Sequence, residues 1–278
     1  MPALTDTFTL SNGVAIPKIG FGTWQIPDGS ETYDSVRTAL DAGYRHIDTA
    51  RAYGNEASVG RAVRDSGIPR DEIFVTTKVW NSDQGYDSTL RAFDTSRQLL
   101  GLDVVDLYLI HWPAPKRDRY VDTWKALERL YDDQRVRAIG VSNFTVAHLT
   151  RLLDETSIVP AVNQIELHPG FPQDELRAFH AEHGIVTESW SPLGRGHGLL
   201  DTADVTELAR KHGKTPAQVV LRWHLQLGLV VIPKSTHAER IRENFDVFDF
   251  ALDDGDVKAL SALTEPQRIG PDPDEMNR

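Results

Sequence analysis

Short apolar runs alternate with longer amphipathic stretches along most of the chain, and this alternation limits the available folds more than any other feature. Strands joined by helix-length connections cannot pair as hairpins, so they pair in parallel, each helix crossing over one face. Eight such units can be read, with strands over residues 19–23, 46–50, 74–80, 105–111, 138–142, 161–166, 186–191 and 230–235. The expectation is an α/β protein of the (β/α)8 barrel type, and the 278 residues suit one such domain over 1–278.

Smaller signals fill in the frame. Thr7-Phe8-Thr9-Leu10 and Val14-Ala15-Ile16 flank Ser11-Asn12-Gly13, which reads as an N-terminal β-hairpin covering one end of the core. Thr215-Pro216 reads as an N-cap with proline in the first helical position, and Gly184 and Gly228 read as helix stops. The longest connection, 194–213, has room for an extra short helix. The proline-containing, charged tail over 265–278 should lie over the barrel as an irregular segment.

Composition then removes function classes. A net charge of −11 at pH 7 disfavours nucleic acid and anionic membrane as partners, so an anionic ligand needs a local basic pocket. With no cysteine there is no thiolate catalysis and no cysteine-based metal site. No basic, apolar leader opens residues 1–10, and no apolar stretch reaches the ~18 residues of a membrane span, so a cytoplasmic protein is expected.

In a parallel barrel the chemistry gathers where strands end. Here the runs finish at Thr23-Trp24, Asp48-Thr49, Lys78-Val79-Trp80, His111-Trp112, Ser142-Asn143, Gln164-Ile165-Glu166, Trp190-Ser191 and Lys234-Ser235. Singly, each has an ordinary reading: Asp48 as a helix cap, Lys78 as a lysine snorkelling to solvent, His111 as a strand-end histidine, Tyr53 as a loop aromatic. Together they fall on successive units at one rim. Trp24, Trp80, Trp112 and Trp190 also stand at strand ends, which points to an apolar ligand cleft, while Trp124 and Trp223 fall on helices.

Neither glycine-rich nucleotide motif, GxGxxG nor GxxxxGK[ST], occurs. If a dinucleotide binds, the substitute is Ile232-Pro233-Lys234-Ser235-Thr236, followed by Arg240 at a helix start, where barrels often hold phosphate; the ordinary reading is a solvated basic helix start.

These motifs bring the chain to a resemblance. Gly43-Tyr44-Arg45-His46-Ile47-Asp48-Thr49-Ala50, the run 102–113 ending Ile110-His111-Trp112-Pro113, Gly140-Val141-Ser142-Asn143-Phe144, and Ile232-Pro233-Lys234-Ser235 with Arg240, Glu243 and Asn244 resemble the aldo-keto reductases, in particular short bacterial members such as 2,5-diketo-D-gluconate reductases. The resemblance covers essentially the whole chain. It implies a metal-free, monomeric reductase of aldehydes or ketones, α-dicarbonyls and sugar ketones among them, using NADPH. It further implies a catalytic tetrad of Asp48, Tyr53, Lys78 and His111, with Tyr53 donating the proton and Lys78 lowering its pKa. Ser142, Asn143 and Gln164 would hold the nicotinamide carboxamide and Trp190 would stack on the ring. Lys234, Ser235, Thr236 and Arg240 would clamp the 2′-phosphate, with Glu243 and Asn244 at the adenine. Thr23, Trp24, Ser191 and Leu193 complete the cofactor set, and Trp24, Tyr53, Trp80, His111 and Trp112 line the substrate pocket. The segments after Trp112-Pro113 and at the C-terminus are shorter than in long family members, which leaves substrate identity open.

Two rival readings stand beside this one. His46, Asp48, His111 and His168 could ligate a metal in a barrel hydrolase, although no second spaced histidine pair accompanies His46-Ile47-Asp48. A barrel that binds NADPH without turnover is the other, and the intact tetrad argues against it.

Overall fold

A computed structural model describes residues 6–277. Of the segments read from the sequence, 1–5 and 278 lie outside the described residues. Two short antiparallel strands come first, β1 (Thr7–Thr9) and β2 (Ala15–Pro17), with Phe8 opposite Ile16. The turn between them is closed by Leu10 N–H on Val14 O and Gly13 N–H on Leu10 O, both 2.8 Å, with Gly13 at φ +86°. A Cβ would resist that left-handed conformation. Leu10 and Ile16 pack into one cluster with Phe74, Leu107, Leu109, Val162 and Val230, so the hairpin plugs the N-terminal end of the sheet that follows.

That sheet contains β3 (Phe21–Gly22), β4 (His46–Asp48), β5 (Phe74–Val79), β6 (Val105–Ile110), β7 (Val136–Ser142), β8 (Val162–Glu166), β9 (Val186–Trp190) and β10 (Val230–Val231). Each pairs in parallel with the next in chain order. A parallel bridge between Ile19 and Val231, with Gly20 N–H on Val231 O at 2.9 Å, joins the last strand to the first. The fold is therefore a closed (β/α)8 barrel. At this seam the strands are shorter than their sequence signals, two residues each instead of 19–23 and 230–235. Pro233 has no N–H with which to continue the ladder. A Cβ on Gly20 would lie 2.6 Å from His46 Nδ1, so only a bare backbone fits there.

The helices, α1 (Ser30–Ala42), α2 (Glu56–Arg64), α3 (Tyr86–Leu100), α4 (Tyr120–Asp132), α5 (Val146–Glu155), α6 (Asp174–His183), α7 (Ala203–His212), α8 (Pro216–Gln226), α9 (Ala238–Phe245) and α10 (Asp254–Ser261), supply the connections and extras. The two faces of the sheet are set by strand alternation. In β6, Leu107 and Leu109 face the interior cluster, whereas Tyr108 and Ile110 join the layer under the helices, Tyr108 meeting Phe93 edge-on at 5.1 Å. Trp124 and Trp223 are fully buried in that layer. Truncating such a side chain to alanine typically costs about 3–5 kcal/mol.

Thr215 caps α8 in a capping box with Gln218, and Gly184 ends α6 at φ +69°. The connection 194–213 holds more than the short helix expected. It contains two 3₁₀ turns, Gly194–Gly196 and Leu199–Asp201, and the ten-residue α7, whose Val205, Leu208 and Ala209 form a buried stripe. The tail crosses the rim as expected. Ile269 and Gly270 donate their N–H groups to the Glu166 carboxylate at 2.6 and 2.8 Å, and Asp274 lies 3.2 Å from His148 Nε2. Asn277 Oδ1 accepts from Lys116 N–H at 2.7 Å.

Candidate active site

Asp48 closes β4, Lys78 is the penultimate residue of β5 and His111 directly follows β6. Asp48 and Lys78 share the inward parity of their strands, because Ile47 and Val79 go to the helix layer. Tyr53 ends a 3₁₀ turn, Arg51–Tyr53, just beyond β4. Buried Asn55 anchors that turn, accepting from Thr49 Oγ1 at 2.7 Å and donating to Thr23 O and Ile26 O at 3.0 and 2.9 Å. Thr23 is itself fully buried, and its hydroxyl donates to Asp48 O at 3.0 Å.

A fully buried ammonium is costly unless it is paired and hydrogen-bonded. Lys78 Nζ meets that requirement with Asp48 Oδ1 at 2.7 Å, Asp48 Oδ2 at 2.8 Å, Thr49 O at 3.0 Å and Tyr53 OH at 3.3 Å. Burial pulls the Lys78 pKa down, yet Asp48 and Tyr53 together hold it above the ordinary lysine value. Tyr53 departs from the sequence expectation. Lys78 does lower its pKa, but burial raises it further, and the phenol is pushed up to about 12. Burial, followed by the nearby Lys78 charge, holds His111 well below the usual histidine range. The His111 ring stands edge-on to Tyr53 at 5.6 Å and to Trp80 at 5.0 Å between centroids.

The opposite wall is a chain of hydrogen bonds. Ser142 Oγ donates to Gln164 O at 2.8 Å, and Asn143 Nδ2 donates to His111 O and Ser142 Oγ, both at 3.0 Å. Trp190 Nε1–H donates to Asn143 Oδ1 at 2.8 Å, which fixes the half-exposed indole. Asn143 and Ser191 turn off their strands with φ of +64° and +51°. Gln164 Nε2 donates to Asp48 Oδ2 at 2.8 Å and to Glu188 Oε2 at 3.1 Å, tying this wall to Lys78's partner.

The four rim tryptophans do not behave alike. Trp80 and Trp190 are partly buried, Trp24 is 39 % exposed, and Trp112 is buried, its ring centroid 6.5 Å from that of Trp190. Arg195, from the first 3₁₀ turn after β9, lies 4.3 Å over the Trp24 ring. Leu193, on the way to that turn, packs against the core and is partly exposed. Around the start of α9, Lys234 and Arg240 are exposed, Thr236 is partly buried and Ser235 is buried, its Oγ accepting from His237 N–H at 3.1 Å. Asn244 is buried, and Glu243 has one oxygen already occupied, accepting from Thr215 Oγ1 at 2.7 Å.

Residues 18–265 match the Aldo/keto reductase family. The chain belongs to that family. It is 57 % identical over 274 residues to an aldo-keto reductase of Mycolicibacterium smegmatis, covering 99 % of each chain. It is 52 % identical to the glyoxal reductase of Bacillus subtilis, over 99 % of this chain and 98 % of the relative. Among solved structures, Gox0644 in its apoform matches with a TM-score of 0.92 at 51 % identity over 97 % of both chains. A mutant of Gox0644 in complex with NADPH matches with a TM-score of 0.92 at 50 % identity over 98 % of both chains.

Within this aldo-keto reductase the rival set of metal donors is dispersed. His46 Nε2 bonds Thr76 Oγ1 at 3.0 Å, and His168 lies against Glu166 at 3.2 Å and the Phe171 ring. Among the described residues no group of three or more histidines and carboxylates is gathered for a metal. Sequence reasoning missed two carboxylates. Glu188 shares the parity of Trp190 within a strand signal, and a charged residue on the inward face of a strand is the signal that could have found it. Glu166 was visible only as a strand end, and its two tail amides come from a segment about a hundred residues away.

Proposed function

We propose that this aldo-keto reductase uses NADPH to reduce aldehydes and ketones, α-dicarbonyls among them, with Tyr53 as the proton donor. The observation that carries the reading is the buried Lys78 Nζ bound at once to both Asp48 oxygens and to Tyr53 OH, beside His111. The 52 % identity to a glyoxal reductase supports the α-dicarbonyl class.

The residues present fit the cofactor. Both hydrogens of Gln164 Nε2 are committed to carboxylates, which leaves Gln164 Oε1 for the N–H of a carboxamide. Trp190 offers a fixed, half-exposed ring face beside it. Exposed Lys234 and Arg240 near the start of α9 suit a 2′-phosphate, the group that distinguishes NADPH from NADH. Bound NADPH supplies the hydride.

Tyr53 gives its proton to the carbonyl oxygen as negative charge develops there. An alkoxide is a stronger base than the Tyr53 phenolate, so transfer runs downhill even with the phenol pushed up to about 12. Lys78 stabilises the phenolate left behind, and Asp48 holds Lys78 in place. His111, neutral because burial depresses its pKa, donates an N–H to the same oxygen and orients it toward Tyr53. Trp80 forms an apolar wall of the cleft against His111.

Tyr53→Phe keeps the ring and removes the proton. Its kcat with methylglyoxal should fall by roughly 100-fold or more, the usual value of positioned acid catalysis, with NADPH binding unchanged. Turnover near the wild-type rate on a substrate limited by chemistry sinks the assignment of Tyr53.

A further inference from the structure

Beneath the four candidate catalytic residues the barrel interior holds a second carboxylate. Glu188 is fully buried at the centre of β9. A buried carboxylate with poor pairing lowers stability, so its presence calls for a reason. A structural ion pair does not provide one. The candidate partner, His46, has its Nε2 3.7 Å from Glu188 Oε1 and engaged with Thr76 Oγ1. Burial, then the Lys78 charge, lowers the His46 pKa to about 3, so the ring is neutral. Glu188 Oε1 has no hydrogen-bond partner among the described residues. The one hydrogen bond that the Glu188 carboxyl group makes there is from Gln164 Nε2.

That bond completes an arrangement of the amide. The titratable groups around Glu188 are His46 and Asp48 from β4 and Lys78 from β5, with the Gln164 amide from β8 beside them. Gln164 Nε2 has two hydrogens, and Asp48 and Glu188 take one each. A flipped amide would set its oxygen against two carboxyl groups, so the orientation with Oε1 away from them is enforced. We propose that Glu188 is a positioning residue of the reductase: with Asp48 it locks the Gln164 amide so that Oε1 is presented to the nicotinamide carboxamide. This rests on the reading that NADPH binds with its carboxamide at Gln164. Burial, then the charge of Asp48, raises the Glu188 pKa, and the protonated carboxyl still offers a carbonyl oxygen to Gln164.

Two measurements test it. The first is NADPH affinity, by quenching of tryptophan fluorescence, in wild type, Glu188→Met, Glu188→Gln, Gln164→Met and the double variant Gln164→Met with Glu188→Met. Glu188→Met, similar in volume but without an acceptor, should weaken NADPH about tenfold, the scale of one hydrogen bond. Glu188→Gln, which keeps an acceptor oxygen, should stay within about twofold, and the double variant should be no weaker than Gln164→Met alone. KM for NADPH should follow Kd while kcat barely moves. Wild-type affinity in Glu188→Met beside weakened Gln164→Met overturns the role of Glu188, as do fully additive losses in the double variant.

The second measurement needs no cofactor. Hydrogen exchange of the Gln164 side-chain amide, followed by NMR, should be slow for both protons in the wild type and in Glu188→Gln. Fast exchange of either proton in the wild type overturns the lock even if Glu188→Met fails to fold. Failure of the wild type to bind NADPH, with exchange still slow, removes the cofactor reading and leaves the Glu188–Gln164–Asp48 lock standing.

Discussion

The wall built by β4, β5 and β6 and the rim segment from Lys234 to Asn244 were both read from the sequence as ligand-binding, yet they are organised in opposite ways. In the wall, Lys78 and Asp48 are buried and bonded to each other at 2.7 and 2.8 Å. On the rim, Lys234 and Arg240 are exposed, and no salt bridge joins either of them to the described residues. On the proposed function, the wall suits chemistry that needs fixed geometry in a low dielectric, while the rim suits screened attraction of an anion from solvent.

This contrast predicts a steep gradient of mutational effects. Lys78→Met leaves Asp48 buried without its cation, and removing one partner of such a pair costs about 3–5 kcal/mol. A urea melt should register that loss together with near-complete loss of turnover. A Lys78→Met protein of wild-type stability breaks the comparison at its strongest point. Arg240→Ala should leave stability unchanged and weaken NADPH about tenfold, with little change for NADH, which lacks the 2′-phosphate. The wild-type preference for NADPH should shrink as salt is raised. Equal weakening of both cofactors in a binding titration removes the phosphate role.

Between these extremes lies Trp80, partly buried and edge-on to His111. Trp80→Ala should reorder the kcat/KM values of a panel of aldehydes and α-dicarbonyls by several-fold, on the order of 1 kcal/mol, with thermal stability little altered. A loss of stability with the ranking intact would make Trp80 a packing residue. The smallest effect is an absence. As the proposed proton donor, Tyr53 must be protonated to act, and its pKa is raised to about 12, so the carbonyl-reduction kcat should stay flat as pH rises through 7 to 9. Alcohol oxidation needs the deprotonated phenol and should climb over the same range. A reduction kcat that falls with an apparent pKa near 8 would show that bound ligands depress the phenol far more than Lys78 does alone.

The legibility of the sequence followed the same division. Strand positions, the hairpin turn at Gly13 and the cap at Thr215 are set by short-range periodicity and backbone sterics, so the pattern of residues revealed them. Seam lengths were not legible, because the ladder between Ile19 and Val231 depends on closing the barrel across more than two hundred residues. Residue types at strand ends likewise put Asp48, Lys78 and His111 on one rim, and Tyr53 just beyond it. Their charge states were not legible: the sequence led to a lowered Tyr53 pKa, and burial reversed the direction.

What the sequence determined by itself was which side chains reach the C-terminal mouth of a (β/α)8 barrel, since parity along a strand and the order of units are local properties. Only the tertiary structure decided which of those side chains meet. Glu188 finds Gln164, 24 positions away, and Gln164 finds Asp48, 116 positions away. Hydrogen bonds of that span, and the desolvation that sets each pKa, exist only once distant strands enclose the same water-excluding volume.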